Sequence, residues 1–297
     1  MDLLQLRYFQ AVARHEHVSR AADELHVAQP ALSRSIARLE SELGVPLFDR
    51  RGRRVALNRF GVAFMSRVGQ ALSELEQGRA ELRDAAGLGH GRVAVAAETL
   101  RTVTDLVAGF LASQPGVNVR LYQSPASAMS AQLMAGEVDL CLASQPLRAP
   151  AAESAELLSE EVLLAVPRAH RFAGRERVTV SQLAGEPFVT TRPGYWQRAL
   201  ADDLFQGAGV RPVIACEGDE PYTIRGLISA GVGIGLLPAL ARSAPDPPVA
   251  WLHLDVPGCT RSLRLAWRQN AYLSAAARDF REFTISYFRQ QPPQEVA

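Results

Sequence analysis

Residues 18–47, VSRAADELHVAQPALSRSIARLESELGVPL, decide how the first part of this chain folds. Apolar residues recur at helical spacing on both sides of a break at His26-Val27-Ala28, which predicts a short helix, a tight turn and a second helix. Ser19 is a good N-cap for the first helix, with Ala21, Ala22 and Leu25 facing inward. The second opens at Gln29-Pro30, where proline sacrifices no hydrogen bond. Leu32, Ile36, Leu39 and Leu43 form its buried stripe, and Gly44 stops it. The pattern turns Gln29, Ser33 and Arg34 outward on the first two turns after the break, as a helix entering a DNA major groove requires.

The flanks extend this head. Leu3, Leu6, Phe9, Val12 and Ala13 predict a preceding amphipathic helix. Val45, Leu47 and Phe48 return to the core, and residues 50–57 alternate as a two-stranded wing with Gly52 at its tip. Arg50, Arg51, Arg53 and Arg54 place four charges in five residues. Alone such a run is usually a solvated loop; beside two turn-linked helices it suits phosphate contacts. The first 60 residues hold ten Arg against seven acids, the remainder 22 Arg against 24, so positive charge concentrates in the head although the chain carries only +1. Every Lys/Arg position is Arg, which genome composition explains better than function. Chemically, Gln29 suits adenine, Arg34 guanine or a phosphate, and Ser33 a base or a phosphate. Pro30 suits a thymine methyl, and Arg20 a phosphate at the preceding helix.

A long helix is predicted over 59–86. Gly61, Phe64, Val68, Ala71, Leu75, Gly78 and Leu82 alternate spacings of three and four along it, a heptad seam that favours pairing with a second copy over lying on its own domain. Gly87, Gly89 and Gly91 read as a hinge. Beyond it strands are expected at 92–97, 117–122, 138–143, 161–167, 188–191, 213–217, 234–237 and 263–267, with helices between, including 99–113 and 126–135, and a closing helix over 271–290. Alternation of this kind implies parallel sheets, and some 205 residues favour two lobes, the chain crossing near 144–165 and returning near Arg268. The expected organisation is therefore α/β behind an all-α-rich head: 1–58 a winged helix-turn-helix, 59–88 a linker and dimerisation helix, and 89–297 a ligand domain. Lobe I of that domain spans about 91–162 and 268–297, and lobe II about 163–267.

Several classes are set aside. No apolar run approaches the roughly 20 residues a membrane helix needs, and the first residues lack a signal-peptide pattern, so the expected location is the cytoplasm. Cys141, Cys216 and Cys259 are odd in number and lack metal-ligand spacing; inert thiols are expected, with a redox-sensing regulator as the alternative. His15, His17, His26, His90, His170 and His253 share no catalytic motif, which argues against an enzyme, and no cofactor is implied. An exported solute-binding protein would carry no helix-turn-helix. Gly231, Gly233 and Gly235 precede an apolar strand, whereas a dinucleotide site needs glycines after one.

Over its whole length the chain resembles the LysR-type transcriptional regulators. The resemblance is carried by LRYFQAVA near the start and SRAADELHVAQPALSRSIARLESELGVPLFDR, then by AGEVDLCLA (135–143), EEVLLAVPRAH (160–170) and SAGVGIGLLPAL (229–240). It implies a winged helix-turn-helix, a linker helix and a two-lobed effector-binding domain like periplasmic binding proteins. It also implies a homotetramer on double-stranded promoter DNA, RNA polymerase as a further partner, and a small organic acid or metabolite as co-inducer in the inter-lobe cleft. In open α/β sheets ligands sit beyond the carboxyl ends of strands. Those ends carry Thr99, Leu100, Arg101 and Thr102; Ser124 and Ser127; Thr190, Arg192 and Tyr195; and Asp219. Singly each hydroxyl reads as a helix cap; together they match the family's cleft positions, with Arg101 or Arg192 to neutralise a carboxylate. Two departures stand out. Arg171-Phe172 replaces the Pro-Leu common after His170, and Glu98 sets a negative charge where an anionic effector would lie.

Overall fold

The computed structural model describes residues 1–51, 54–86, 91–149, 151–243 and 248–290. They form two compact units, one containing residues 1–89, the other most of 90–297.

In the first unit, α1 (Leu3–His15), α2 (Val18–Glu24) and α3 (Gln29–Leu43) precede β1 (Phe48–Arg51), β2 (Arg54–Leu57) and α4 (Arg59–Ala85). Asp2 caps α1 through a reciprocal box with Gln5. Gly44 ends α3 in the left-handed conformation. His17 rather than Ser19 occupies the N-cap of α2 and makes no side-chain capping bond there; the cap lies two residues earlier than the Ser19 signal predicts. Phe9, Leu32, Leu39 and Leu47 are buried at the centre. The Phe9 ring lies 5.3 Å from that of Phe48 and 5.4 Å from that of Phe64. Glu40 of α3 accepts the Leu47 and Phe48 amides at 2.7 and 3.2 Å, and the Val55 amide of the wing donates to the Glu16 carbonyl at 3.0 Å. Along α4 the seam divides: Phe64, Val68 and Leu72 pack into this core, whereas Leu75 and Leu82 are exposed.

Asn58 joins the wing to α4. Its Oδ1 accepts the Phe60 and Gly61 amides at 2.9 and 3.0 Å, and its Nδ2 donates to the Pro46 carbonyl at 2.8 Å. Asn58→Ala is expected to cost about 0.5–2 kcal/mol. Faster hydrogen exchange of the Phe60 and Gly61 amides is the check; unchanged exchange would show that the cap contributes nothing.

The second unit opens with β3 (Arg92–Ala97), a 3-10 turn at Arg101–Val103, α5 (Thr104–Ser113), β4 (Asn118–Gln123), α6 (Ala126–Ala135) and β5 (Leu140–Ala143). It continues through β6 (Ala152–Val166), β7 (Arg177–Val178), β8 (Pro187–Thr191), α7 (Trp196–Gly207) and β9 (Val213–Gly218). α8 (Pro221–Ser229), β10 (Gly235–Pro238), β11 (Ala250–Leu254), β12 (Thr260–Arg268) and α9 (Ala275–Arg289) complete it. The main sheet is mixed rather than parallel, in the order β4-β3-β5-β12-β6-β11-β7 with β10 also on β6, and β8-β9 form a separate parallel pair. β4, β3 and β5 are parallel, but β12 runs antiparallel to both β5 and β6 because it carries the chain back between the lobes. β6 begins at Ala152, nine residues before the expected start at 161. Its first half is only partly covered and interleaves Glu and Ser with Ala and Leu, so it lacks the apolar run of a covered strand.

Two main cores result. One gathers Val95, Phe110, Leu140, Leu265 and Phe280; the other Leu164, Phe172, Phe188, Phe205 and Leu252. β6 contributes to both, Leu157 and Leu158 to the first and Val162, Leu164 and Val166 to the second, and a smaller cluster gathers Ala165, Val189, Ile224, Ile228 and Leu237. Two glycine readings change. Gly91 is a packing position rather than a hinge, since a Cβ there would sit 2.4 Å from the Ala276 Cβ; Gly87 and Gly89 lie outside the described residues. Gly233 and Gly235 let the chain lie against β8, where added Cβ atoms would meet the Pro187 and Val189 carbonyl oxygens at 2.4 and 2.5 Å.

Candidate DNA interface and ligand cleft

α3 presents the predicted polar face. Gln29, Pro30 and Arg34 are exposed and Ser33 is half-buried, while Leu32, Ile36 and Leu39 point into the core. One turn apart, Gln29 Nε2 donates to Ser33 Oγ at 2.9 Å, aligning both groups along one helix face. Arg20 is exposed on α2 and Arg54 on β2. Arg50 and Arg51 belong to β1, but their side chains, like the whole of Arg53, lie outside the described residues.

The second candidate site gathers loops after β3, β4, β5, β8 and β9. Thr99 is buried, and its Oγ1 donates to Glu220 Oε1 at 3.0 Å. Gln123 Nε2 donates to Glu220 Oε2 at 3.0 Å and to the Asp219 carbonyl at 3.2 Å. Arg192 makes a two-pronged ion pair with Asp219, its Nη2 at 2.6 Å from Oδ2; Asp219 holds the guanidinium pKa above its usual value. Arg198 bridges Asp202 and Glu217. Across the cleft Gly194, at φ +100°, lies against Pro125, whose Cβ would be 3.6 Å from a Cβ at this glycine. Ser124, Thr190 and Tyr195 are buried; Ser127 and Arg101 are exposed. Burial raises the Tyr195 pKa. Leu100 packs against the Phe110–Phe280 core, because its side chain follows the apolar face of the turn rather than the cleft. The Thr102 side chain lies outside the described residues.

Glu98 is 3% exposed. Its Oε2 accepts the Ser144 amide at 2.6 Å, and the Trp196 amide at the start of α7 also acts on the carboxyl. Burial is the largest influence on this carboxyl and pushes its pKa up. Gln123, Ser144, Trp196 and Glu220 went unmarked in the sequence reading. Ser144 has the same signal as Thr99, a hydroxyl just past an apolar strand; Gln123 and Glu220 have none, because their pairing comes from chain crossing. Cys141 and Cys259 are buried, and burial pushes both thiols up to about 12, leaving them unreactive; Cys216 is half-buried. Among the described residues no His, Cys, Asp and Glu cluster suits a metal ion.

Residues 3–62 match the family model described as bacterial regulatory helix-turn-helix protein, lysR family, and residues 86–289 match the LysR substrate binding domain. The chain is 38% identical over 293 residues to the uncharacterized HTH-type transcriptional regulator YybE of Bacillus subtilis (strain 168), covering 98% of this chain and 100% of YybE. This protein belongs to the LysR family. LysR proteins are DNA-binding transcriptional regulators with an effector-binding domain, not enzymes, and they form oligomers. Among solved structures, the LysR family regulator CbnR superposes with TM-score 0.68 at 24% identity, over 98% of this chain and all of CbnR. Full-length CbnR complexed with its target DNA gives 0.65 at 25% identity, over 96% and 99%. In this LysR chain the head, the helical linker and the two-lobed sheet unit are in the family's order. Among the described residues no helix is long and apolar enough to cross a membrane.

Proposed function

We propose that this LysR regulator acts in the cytoplasm. It reads promoter DNA with Gln29, Pro30, Ser33 and Arg34, while Arg20, Arg54 and the wing arginines Arg50, Arg51 and Arg53 hold phosphates. The observation that carries the reading is the polar face of α3, where Gln29, Pro30 and Arg34 are exposed and Ser33 half-buried while the opposite stripe is buried. Residues 1–58 form the reading head, 59–88 the linker and 89–297 the sensor, with the lobe limits expected from the sequence. Leu75 and Leu82, exposed on α4, are the seam on which a second copy pairs, and dimers join as tetramers. RNA polymerase is the partner on which regulation acts.

A small metabolite binds the cleft and shifts the lobes between arrangements, which changes how the heads engage DNA. Its surroundings are Thr99, Leu100, Arg101, Thr102, Ser124, Ser127, Thr190, Tyr195 and the Arg192–Asp219 pair, with Leu100 contributing backbone. Thr99→Val removes the bond to Glu220 and is expected to weaken the ligand response of promoter protection while leaving DNA affinity within about twofold. A full response in the variant removes Thr99 from the site, and loss of DNA binding together with the response marks misfolding.

A further inference from the structure

The head of α7 meets the ends of β3 and β5 at Glu98. A helix N-terminus of this kind is where an anionic ligand would settle. Here a side chain of the protein itself already brings a carboxylate there, bonded by the Ser144 amide and acted on by the Trp196 amide. Two further atoms at this point are unsatisfied. Glu98 Oε1 and Ser144 Oγ are both buried without a hydrogen bond of normal geometry among the described residues. An ionised carboxyl oxygen only accepts, and a buried acceptor without a donor is unfavourable. The Ser144 hydroxyl can turn toward the carboxyl, and Arg261 acts on it from beyond ion-pair distance, so the position is already occupied by an acid with no cation in direct contact among the described residues.

The cations nearby are engaged. Arg192 is taken by Asp219, Arg198 by Asp202 and Glu217, and the buried Arg261 by Glu160 at 2.7 Å. A second carboxylate brought beside Glu98 meets like-charge repulsion at close range, which only protonation relieves. An ammonium or guanidinium meets the opposite: a buried carboxyl oxygen, Glu98 Oε1, without a hydrogen bond of normal geometry, beside a serine hydroxyl.

We propose that Glu98 is the ligand-recognising carboxylate of the cleft and that the effector presents a cationic, hydrogen-bond-donating head, an ammonium or guanidinium, rather than a carboxylate. The raised pKa agrees with this: burial penalises the bare anion, and an arriving cation removes the penalty. The inference rests on the cleft being the effector site proposed above, and parting of the lobes gives the ligand its path.

The test uses the full-length chain, wild type and Glu98→Gln, in thermal-shift and calorimetric titrations. The probes are alkyl and aryl amines and guanidines, matched with carboxylates of the same carbon skeletons. Wild type is expected to be stabilised by members of the cationic set and by none of the carboxylates, and Glu98→Gln to bind the same cations at least tenfold more weakly. Glu98→Ala, which empties the anion position, is expected to gain stabilisation by acetate that wild type lacks; where it does not fold, Glu98→Gln carries the test alone. Stabilisation of wild type by the carboxylates, indifference of wild type to every cation, unchanged cation affinity in Glu98→Gln, or a folded Glu98→Ala blind to acetate each overturns the proposal. A carboxylate that binds wild type and alters promoter protection overturns the ligand class and leaves the sensing role standing. A cation that binds through Glu98 without altering promoter protection does the reverse.

Discussion

Arg261→Leu is expected to remove about 3–5 kcal/mol from the sensor's stability, the cost of leaving a buried charge without its partner. Arg261 and Glu160 are 3% and 1% exposed at their side chains, with Nε 2.7 Å from Oε1. The other carboxylate oxygen accepts the Leu240 amide at 2.6 Å, and the guanidinium lies 4.9 Å from the centre of the Trp196 ring. The pair sits on β6 and β12, the strands common to both lobes, so its loss strikes where the two cores share a backbone. Pairing Arg261→Met with Glu160→Gln is expected to recover most of the loss, since no unpaired ion then remains and the carboxamide still accepts the Leu240 amide. Urea unfolding followed by tryptophan fluorescence reports this unit selectively, because Trp196, Trp251 and Trp267 all lie in it. A single variant less than about 1 kcal/mol below wild type, or a double variant as unstable as the single, would contradict a desolvated pair.

The second large effect is expected on DNA. A base contact is worth about 1–3 kcal/mol, so Gln29→Ala and Arg34→Ala should each bind the specific site roughly 5–150-fold more weakly, with little change on unrelated duplex. Arg54→Ala should behave otherwise, weakening specific and random DNA alike and lowering the salt dependence by about one counterion. Fluorescence anisotropy on the promoter fragment and on a scrambled duplex, at several salt concentrations, separates the two patterns. Equal losses on both duplexes for Gln29→Ala and Arg34→Ala would reassign those side chains to phosphates.

The head was legible in the sequence nearly to the residue. Pro30 and Gly44 are local signals that need no tertiary partner, and α3 runs between them as expected. The α2 cap was misplaced by two residues because Ser19 offers a capping side chain at a position that His17 takes by backbone geometry alone. The sheet unit was legible where strands are covered on both faces, as at β3 and β5. It was not where pairing depends on distant sequence. The polar half of β6 becomes a strand because β12 returns beside it, and β7 and β11 are short strands the apolar pattern does not mark. The strand-end rule marks Thr99, Ser124 and Thr190, which lie at or just past the ends of β3, β4 and β8. It could not foretell that Arg192 would be committed to Asp219, since that bond depends on how β8 and β9 align.

The bonds from Glu40 to Leu47 and Phe48, and from Val55 to Glu16, have a consequence for how a signal reaches a gene. They tie α3 to the start of the wing and the wing to the end of α1, so the three are expected to meet DNA as one piece. Control is then expected to act on where that piece is carried along the duplex, as a matter of pitch and phase.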